Sequence, residues 1–284
     1  MTTVAVVSPG FMGAGLGGAL LAGGARVVAT VEGRSARTRR LAEQAGLELL
    51  PTLDDVIAAA DVILSVTPPA GALAAAEAIA ASAAATAGAR AGVVVADLNA
   101  VSPATMARIA GALDGVRLVD GSISGPPPSA EPGARIYLSG PDAGVVAALP
   151  WAGLVEPVVI GERIGSASAL KMCTGSVYKG LTALVTQAMR TAGAYGVLDG
   201  VVSDLEHNGF AQTAGVARSA TKARRFVDEM REVADTQAAA GLTPDLFAAI
   251  AKVYADISGT RLANGDPEAS RELTAEEVVR LLGE

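Results

Sequence analysis

From its start to about residue 140 the chain alternates short runs of Val, Ile and Leu with longer Ala-rich stretches of helical spacing. Apolar runs of a strand's length, without one-in-two polar alternation, belong to strands buried on both faces of a helix-covered parallel sheet. The pattern predicts strands at Val4–Val7, Arg26–Val31, Val62–Val66, Val93–Asp97, Arg117–Val119 and Arg135–Leu138. Between them Ser102-Pro103 sets a cap before a first-turn proline, and Ser35 caps a helix holding Arg37 to Gln44. Right-handed crossovers between such elements give a doubly wound, mainly parallel sheet.

Beyond Gly165 the strand-like runs stop. Ser166 to Tyr195 predicts one long helix, apolar nearly all round, of the kind that sits in a core. Further helices are predicted around Ser219–Ala240, after Thr243-Pro244, and at the end, where Thr274 and Glu277 fit a capping box. The expectation is an α/β domain over residues 1–163 and an all-α domain over 164–284, joined by the long interdomain helix. Pro126-Pro127-Pro128 with Pro132-Gly133 marks the one long loop.

Composition narrows this picture. Hydrophobic residues are 51% of the 284 and aromatics 3%, so the cores must be built from Ala, Val, Leu and Ile with Gly at close contacts. The nearly uncharged stretch Gly71 to Ala91 lacks the Leu, Ile and Phe density of a membrane span and carries Glu77 and Arg90. It predicts a packed helix and no membrane association. No basic segment precedes the first apolar run, which ends at Pro9-Gly10, so a cytoplasmic location is expected.

A single cysteine, Cys173, excludes an intramolecular disulfide, and a single histidine, His207, argues against a multi-His metal site; no metal is expected. Cys173 is read as a small core residue. His207 and Asn208 lie in a polar break between helices, with a surface or capping role expected and substrate contact as the alternative. A net charge of −7 has the wrong sign for a nucleic-acid surface, so any phosphate must meet a local cluster.

That cluster has two candidate parts. The first strand runs into Ser8-Pro9-Gly10-Phe11-Met12-Gly13 and a small-residue helix, Ala14 to Leu21, the dinucleotide fingerprint of a Rossmann domain with its first glycine replaced by Ser8. Gly10 would let the backbone approach a pyrophosphate at the helix N-terminus, and Gly13 would let helix pack on strand. A plain strand-to-helix turn is the competing reading. The second strand leads into Glu32-Gly33-Arg34-Ser35. Glu32 would suit a free ribose 2′-hydroxyl, whereas Arg34 and Ser35 suit a 2′-phosphate, so NADP (NADPH) is expected, with NAD as the alternative. Arg39 and Arg40 fit a solvated helix face.

These motifs resemble the β-hydroxyacid dehydrogenase family, which includes 3-hydroxyisobutyrate and 6-phosphogluconate dehydrogenases, over nearly the whole chain. Gly10, Met12 and Gly13 match its glycine-x-glycine-x-methionine-glycine loop, around Phe11, and Gly33-Arg34-Ser35 resembles its asparagine-arginine-threonine phosphate grip. Ser65-Val66-Thr67-Pro68 is similar to the loop after the fourth strand, which implies that Val66, Thr67 and Pro68 lie along the nicotinamide ribose. Asp97-Leu98-Asn99-Ala100 stands for aspartate-x-serine-threonine, so Asn99 changes the hydrogen bonding there.

Asp120 to Pro126 resembles the family's substrate loop, which implies that Ser124 and the Gly125 amide, with Ser122 beside them, hold a substrate carboxylate or similar group. Gly165 to Lys171 is similar to glycine-x-glycine-x-x-x-lysine, with Ala167 departing. Hydride transfer to a carbonyl leaves alkoxide character on oxygen, which an ammonium such as Lys171 can protonate. A snorkelling lysine is the plain alternative. The family's asparagine one turn later is Gly175 here. At helical spacing Thr174, Gly175 and Tyr178 share Lys171's face, so Thr174 or Tyr178 can supply the missing polar contact.

The rest of the second domain resembles a less-characterised C-terminal branch of the family, and Pro126-Pro127-Pro128 resembles the substrate loop of imine reductases, which generally lack the lysine. The expected function is NADP(H)-dependent oxidation or reduction of a hydroxy acid or related carbonyl compound, with Lys171 as general acid/base. Imine reductase-like reduction of a C=N bond, with Tyr178 as a proton donor, is one alternative, and a non-catalytic nucleotide-binding protein another. The long apolar helix, with few aromatics to cover it, predicts a homodimer through the helical domain.

Overall fold

A computed structural model of the chain describes residues 1–85, 92–128, 133–210, 213–266 and 272–284. It has two compact units, Met1–Lys171 and Met172–Glu284. The first is a Rossmann domain and the second is helical. The elements of the first run β1 (Thr3–Val7), α1 (Phe11–Ala22), β2 (Arg26–Ala29), α2 (Ala36–Gln44), β3 (Glu48–Leu49), α3 (Leu53–Ala59), β4 (Val62–Ser65) and α4 (Ala72–Ala85). They continue with β5 (Val94–Asp97), α5 (Pro103–Ala112), β6 (Arg117–Ser124), β7 (Ala134–Ser139), α6 (Ala143–Ala147), β8 (Val155–Gly161) and the start of α7 (Ser166–Ala194).

The sheet order is β3-β2-β1-β4-β5-β6-β7-β8. Strands β1 to β6 are parallel, β7 runs antiparallel to β6, and β8 runs parallel to β7. Val4 and Val6 enter one apolar cluster with Leu16, Leu20 and Leu64, while Ala5 and Val7 enter the other with Ile57, Ile63 and Ile79. Burial of both faces is why the strands show as unbroken apolar runs. Ser35 and Ser102 cap α2 and α5 as expected, each accepting from a backbone N–H three residues on. The helix α4 buries Ala72, Ala76, Ile79 and Ser82, the packed helix expected there; residues 86–91, the end of that apolar stretch, and Pro132 lie outside the described residues.

Three differences from the sequence pattern matter. β6 does not stop at Val119 but runs to Ser124, so most of the expected substrate loop is strand, paired with β7 from Asp120↔Ser139 to Ser124↔Arg135. Its Asp, Gly and Ser residues carry no strand signal of their own; the β7 partner imposes it. β8 carries Pro157, tolerated because the strand is an edge. The two-residue β3 is too short to register in the pattern.

In the second unit α7 continues and is followed by α8 (Leu198–His207), α9 (Thr213–Ala220), α10 (Ala223–Ala239), α11 (Asp245–Ile257) and α12 (Ala275–Leu282). The single helix expected at Ser219–Ala240 is divided between α9 and α10. Phe226 of α10 meets Tyr254 of α11 edge to face at 5.3 Å, and the Tyr254 hydroxyl donates to the Lys179 carbonyl at 2.7 Å. The α12 capping box forms as expected, and His207 and Asn208 end α8, with Asn208 donating to the Asp204 carbonyl.

The helix α7 buries Met172, Ala183, Val185, Met189 and Ala192 but leaves Val177, Leu184 and the adjoining Tyr195 exposed, so only one side of it is core. Cys173 is exposed as well, a correction to its expected place in the core: on the helix it falls outside the buried face. Among the described residues no helix is long and apolar enough to cross a membrane.

Candidate active site

The loops at the C-terminal ends of β1, β2, β4 and β5, and the end of β6, lie along one edge of the parallel strands, where the order reverses between β1 and β4. Between β1 and α1, the Ser8 carbonyl accepts from Gly10 N at 2.9 Å and the Gly10 carbonyl from Ala14 N at 2.7 Å. A Cβ on Gly13 would sit 2.4 Å from the Ser8 carbonyl oxygen, so helix and turn close only on glycine. Gly10 differs: its φ of −72° is open to any residue, and among the described residues nothing lies within 4 Å of where its Cβ would be. The cleared space lies at the N-terminus of α1, which has no side-chain cap and no acidic residue in its first turn. The first N–H groups of a helix have no partner within it and suit an anionic ligand. Phe11 is exposed and Met12 half-buried beside it.

After β2 the chain turns through Val31–Arg34, closed by Arg34 N donating to the Val31 carbonyl at 3.1 Å, with Gly33 at φ +65°. Glu32, Gly33, Arg34 and Ser35 are all exposed. Ser35 Oγ accepts from Thr38 N at 3.2 Å, so its hydroxyl also caps α2. Thr30, which sequence reasoning missed, ties the turn down: Oγ1 accepts from Glu32 N and donates to the Pro51 carbonyl, both at 3.2 Å.

Beyond β4 and β5, Asn99 braces two loops. Its Oδ1 accepts from Thr67 N at 2.5 Å, and its Nδ2 donates to Ser65 Oγ at 3.1 Å and Asp97 Oδ2 at 2.7 Å. Asn99 is buried, Val66 half-buried and Pro68 exposed, and the buried Thr67 Oγ1 has no hydrogen-bond partner among the described residues. Burial lifts the Asp97 carboxyl to about 7, against the pull of the Asn99 and Ser65 hydrogen bonds and with the help of the Asp120 charge. Asp97 and Asp120 face one another in the β5–β6 register.

Asp120 is fully buried, and its Oδ2 accepts from Gly165 N at 2.8 Å, Ala167 N at 2.9 Å, Ser168 N at 3.1 Å and Ser139 Oγ at 3.0 Å. Its Oδ1 accepts from Ser168 Oγ at 2.7 Å. Burial pushes this carboxyl upward while the donors of Ser168, Ser139 and Gly165 pull it down. One turn along α7, Lys171 Nζ donates to the Ile123 carbonyl of β6 at 2.5 Å. On that strand Ser122 is buried, with no partner for its Oγ among the described residues, and Ser124 is half-buried. Gly125 follows at φ +107°, where a Cβ would lie 2.1 Å from the Gly133 carbonyl oxygen.

The structure therefore brings Lys171 to the strand bearing Ser122 and Ser124. The supports Asp97, Asp120, Ile123, Ser139 and Ser168 were missed as functional residues; all but Ser139 were visible only as positions within the motifs. Thr174, Gly175 and Tyr178 belong to the second unit, half-buried, buried and exposed respectively. A Cβ on Gly175 would lie 3.6 Å from Lys179 Nζ, which pairs with buried Glu229 at 2.6 Å over the Phe226 ring. Among the described residues no group of His, Cys, Asp and Glu is placed to hold a metal ion.

The family described as the NAD binding domain of 6-phosphogluconate dehydrogenase matches residues 3–151. The chain belongs to the β-hydroxyacid dehydrogenase family. This member is an NAD(P)-dependent dehydrogenase or reductase, and a nicotinamide dinucleotide is its cofactor. A domain of unknown function matches residues 192–257.

Among solved structures, the conserved protein MTH1747 of unknown function, reported as structurally similar to 3-hydroxyacid dehydrogenases, is 28% identical, with a TM-score of 0.65 over 90% of this chain and 96% of that one. The 3-hydroxyisobutyrate dehydrogenase of Mycobacterium tuberculosis, solved with L-serine, is 20% identical with a TM-score of 0.69 over 99% of both chains. A reductive aminase from Aspergillus terreus, in complex with NADPH and ethyl levulinate, is 20% identical with a TM-score of 0.59 over 90% of this chain and 93% of that one. At that identity the last two show the shared fold.

The Asp97 carboxyl gives a test of the buried network. It holds its proton up to about pH 7 when folded, against an ordinary value of 3.8, so folding takes up a proton between those limits. Stability from this group is present below about pH 4 and is lost as pH rises to about 7, by on the order of 4 kcal/mol at most. Urea midpoints measured from pH 5 to pH 8 should fall toward neutrality in the wild type, and Asp97→Asn should flatten the slope. An unchanged slope in the variant would contradict the assignment.

Proposed function

We propose that the protein is an NADPH-dependent dehydrogenase or reductase of a hydroxy acid or related carbonyl compound, with Lys171 exchanging the proton at the substrate oxygen. One observation carries this reading: the Lys171 ammonium rests 2.5 Å from the Ile123 carbonyl, on the strand that presents Ser122 and Ser124. An ammonium placed there has a proton to give beside two hydroxyl-bearing residues.

The residues present fit the cofactor. The space over Gly10 and the free N-terminus of α1 would take the pyrophosphate, and Arg34, thrust out by the Gly33 turn, would meet a 2′-phosphate. Thr67, held through its amide by Asn99, would lie beside the nicotinamide ribose with Val66 and Pro68. When bound, NADPH supplies a hydride to the substrate carbon. Ser124 and the Gly125 amide would hold the substrate carboxylate. Lys171 then gives one proton to the oxygen, becomes a neutral amine and regains a proton from solvent; oxidation runs the same transfers in reverse.

A C=N substrate is the second reading. It is favoured by the Pro126-Pro127-Pro128 loop, which packs on α1 where Gly15 leaves no room for a side chain, Pro127 Cβ lying 2.9 Å from its missing Cβ. An iminium needs no proton from Lys171.

The homodimer belongs to the same proposal. Val177, Leu181, Leu184 and Ala188 recur at alternating four- and three-residue helical spacings, with Tyr195 two turns on, the pattern of a seam between paired helices, and Val177, Leu184 and Tyr195 are exposed. Light scattering at micromolar concentration should give a dimer for the wild type and a monomer for Leu184→Glu; a monomeric wild type contradicts the proposal.

Arg34→Ala should weaken NADPH binding by about 10- to 100-fold, one charge-assisted contact, and leave NADH binding unchanged. Nicotinamide fluorescence reads both, and equal losses for the two cofactors would remove Arg34 from the 2′-phosphate.

Lys171→Ala should lower kcat for 2-oxo or 3-oxo acids by about 10²- to 10⁴-fold with NADPH affinity retained. Full turnover in that variant would end the lysine's role. Activity with cyclic imines and none with oxo acids would favour the C=N reading.

A further inference from the structure

Helices α2, α3, α5 and α12 are capped by their own flanking residues, Ser35, Thr52, Ser102 and Thr274. The start of α7 is tied differently. Its N–H groups at Gly165, Ala167 and Ser168 converge on the carboxylate of Asp120, 45 to 48 residues earlier in the chain. A local cap shapes a helix end, but a cap delivered by a strand also fixes where the helix lies. Two further bonds, from Ser168 Oγ to Oδ1 and from Ser139 Oγ to Oδ2, set the orientation of the carboxylate itself.

The second tie between the same two elements is the bond from Lys171 Nζ to the Ile123 carbonyl. On β6 the two ties are three residues apart, and on α7 the lysine follows Ser168 by three. Along a helix each residue turns about 100° and rises about 1.5 Å, so a slip of one residue at the carboxylate would swing the lysine off its carbonyl. The helix N-terminus also favours a negative group, which suits a buried carboxylate whose partners here are amides and hydroxyls.

We propose that Asp120 is a positioning residue for Lys171: by clasping the first turn of α7 it sets the register that holds the ammonium against Ile123 and beside Ser122 and Ser124. The effect on turnover rests on the proton-transfer role proposed for Lys171, whereas the placement does not. A misplacement of about 1 Å at a reacting group can cost about 100-fold in rate, so Asp120→Ala should lose turnover on that scale while NADPH binding is kept.

The placement can be read without a substrate, because the chain has only four lysines, Lys171, Lys179, Lys222 and Lys252. In the full-length protein labelled with ¹³C-lysine, each ε-carbon gives one signal, and Lys171→Arg assigns the one that matters. Asp120→Ala should move the Lys171 signal to the position of an exposed lysine with the other three unmoved. Asp120→Asn, which keeps an oxygen for the amides, should move it less than half as far. An unmoved Lys171 signal in folded Asp120→Ala overturns the proposal.

Should Asp120→Ala unfold, Ser168→Ala, which removes one hydroxyl from the clasp, should still shift the Lys171 signal, and no shift there overturns the proposal equally. A Lys171 signal that moves as expected, together with a fully active Lys171→Ala, would keep the placement and refute the chemistry.

Discussion

The buried carboxylate of Asp120 is the constraint on which the site depends. It stands in the sheet and accepts from the N–H groups of the first turn of α7, so that turn is tied to the strand. Two buried carboxyls in register on neighbouring strands would repel if both were charged. Asp97 relieves this by holding its proton up to about 7, and it stays in place through Asn99. The same Asn99 holds Thr67, so one polar seam runs from the loop after β4 to the end of β5, and its Asp97 faces the Asp120 clasp.

Around this seam the fold uses absence of side chains as a positioning device. Gly13 lets α1 close on the Ser8 carbonyl, and Gly15 admits the proline loop. Gly10 serves a different end, because among the described residues nothing fills the volume that its side chain would occupy. Small residues inside and a cleared surface at a helix N-terminus are what a domain needs to bring backbone amides against a dinucleotide.

Much of this was legible in the sequence because it is local. Buried strands announce themselves as apolar runs, and Ser35, Ser102 and Thr274 announce helix starts. The glycine loop, Arg34 and Lys171 stood out because few residue types can meet their demands. What stayed hidden is non-local. The continuation of β6 through Asp120 to Ser124 depends on β7, and the Asn99 brace joins residues 32 and 34 apart. Asp120 was visible only as part of a motif, since its partners lie on another strand and on a helix that starts 46 residues later. The exposure of Cys173 depends on which face of α7 the second unit buries, a choice that a helix apolar nearly all round does not reveal.

In the proposed reaction a hydride moves from the nicotinamide to a substrate carbon while Lys171 moves the proton. Its most direct test is isotopic. NADPH carrying deuterium at both C4 positions is incubated with 2-oxo acids, 3-oxo acids and cyclic imines, and the products are weighed by mass spectrometry. Deuterium is expected on the former carbonyl carbon of an oxo-acid product, formed by the wild type and strongly diminished in Lys171→Ala. Deuterium in none of the products, or equal transfer by Lys171→Ala, would contradict it.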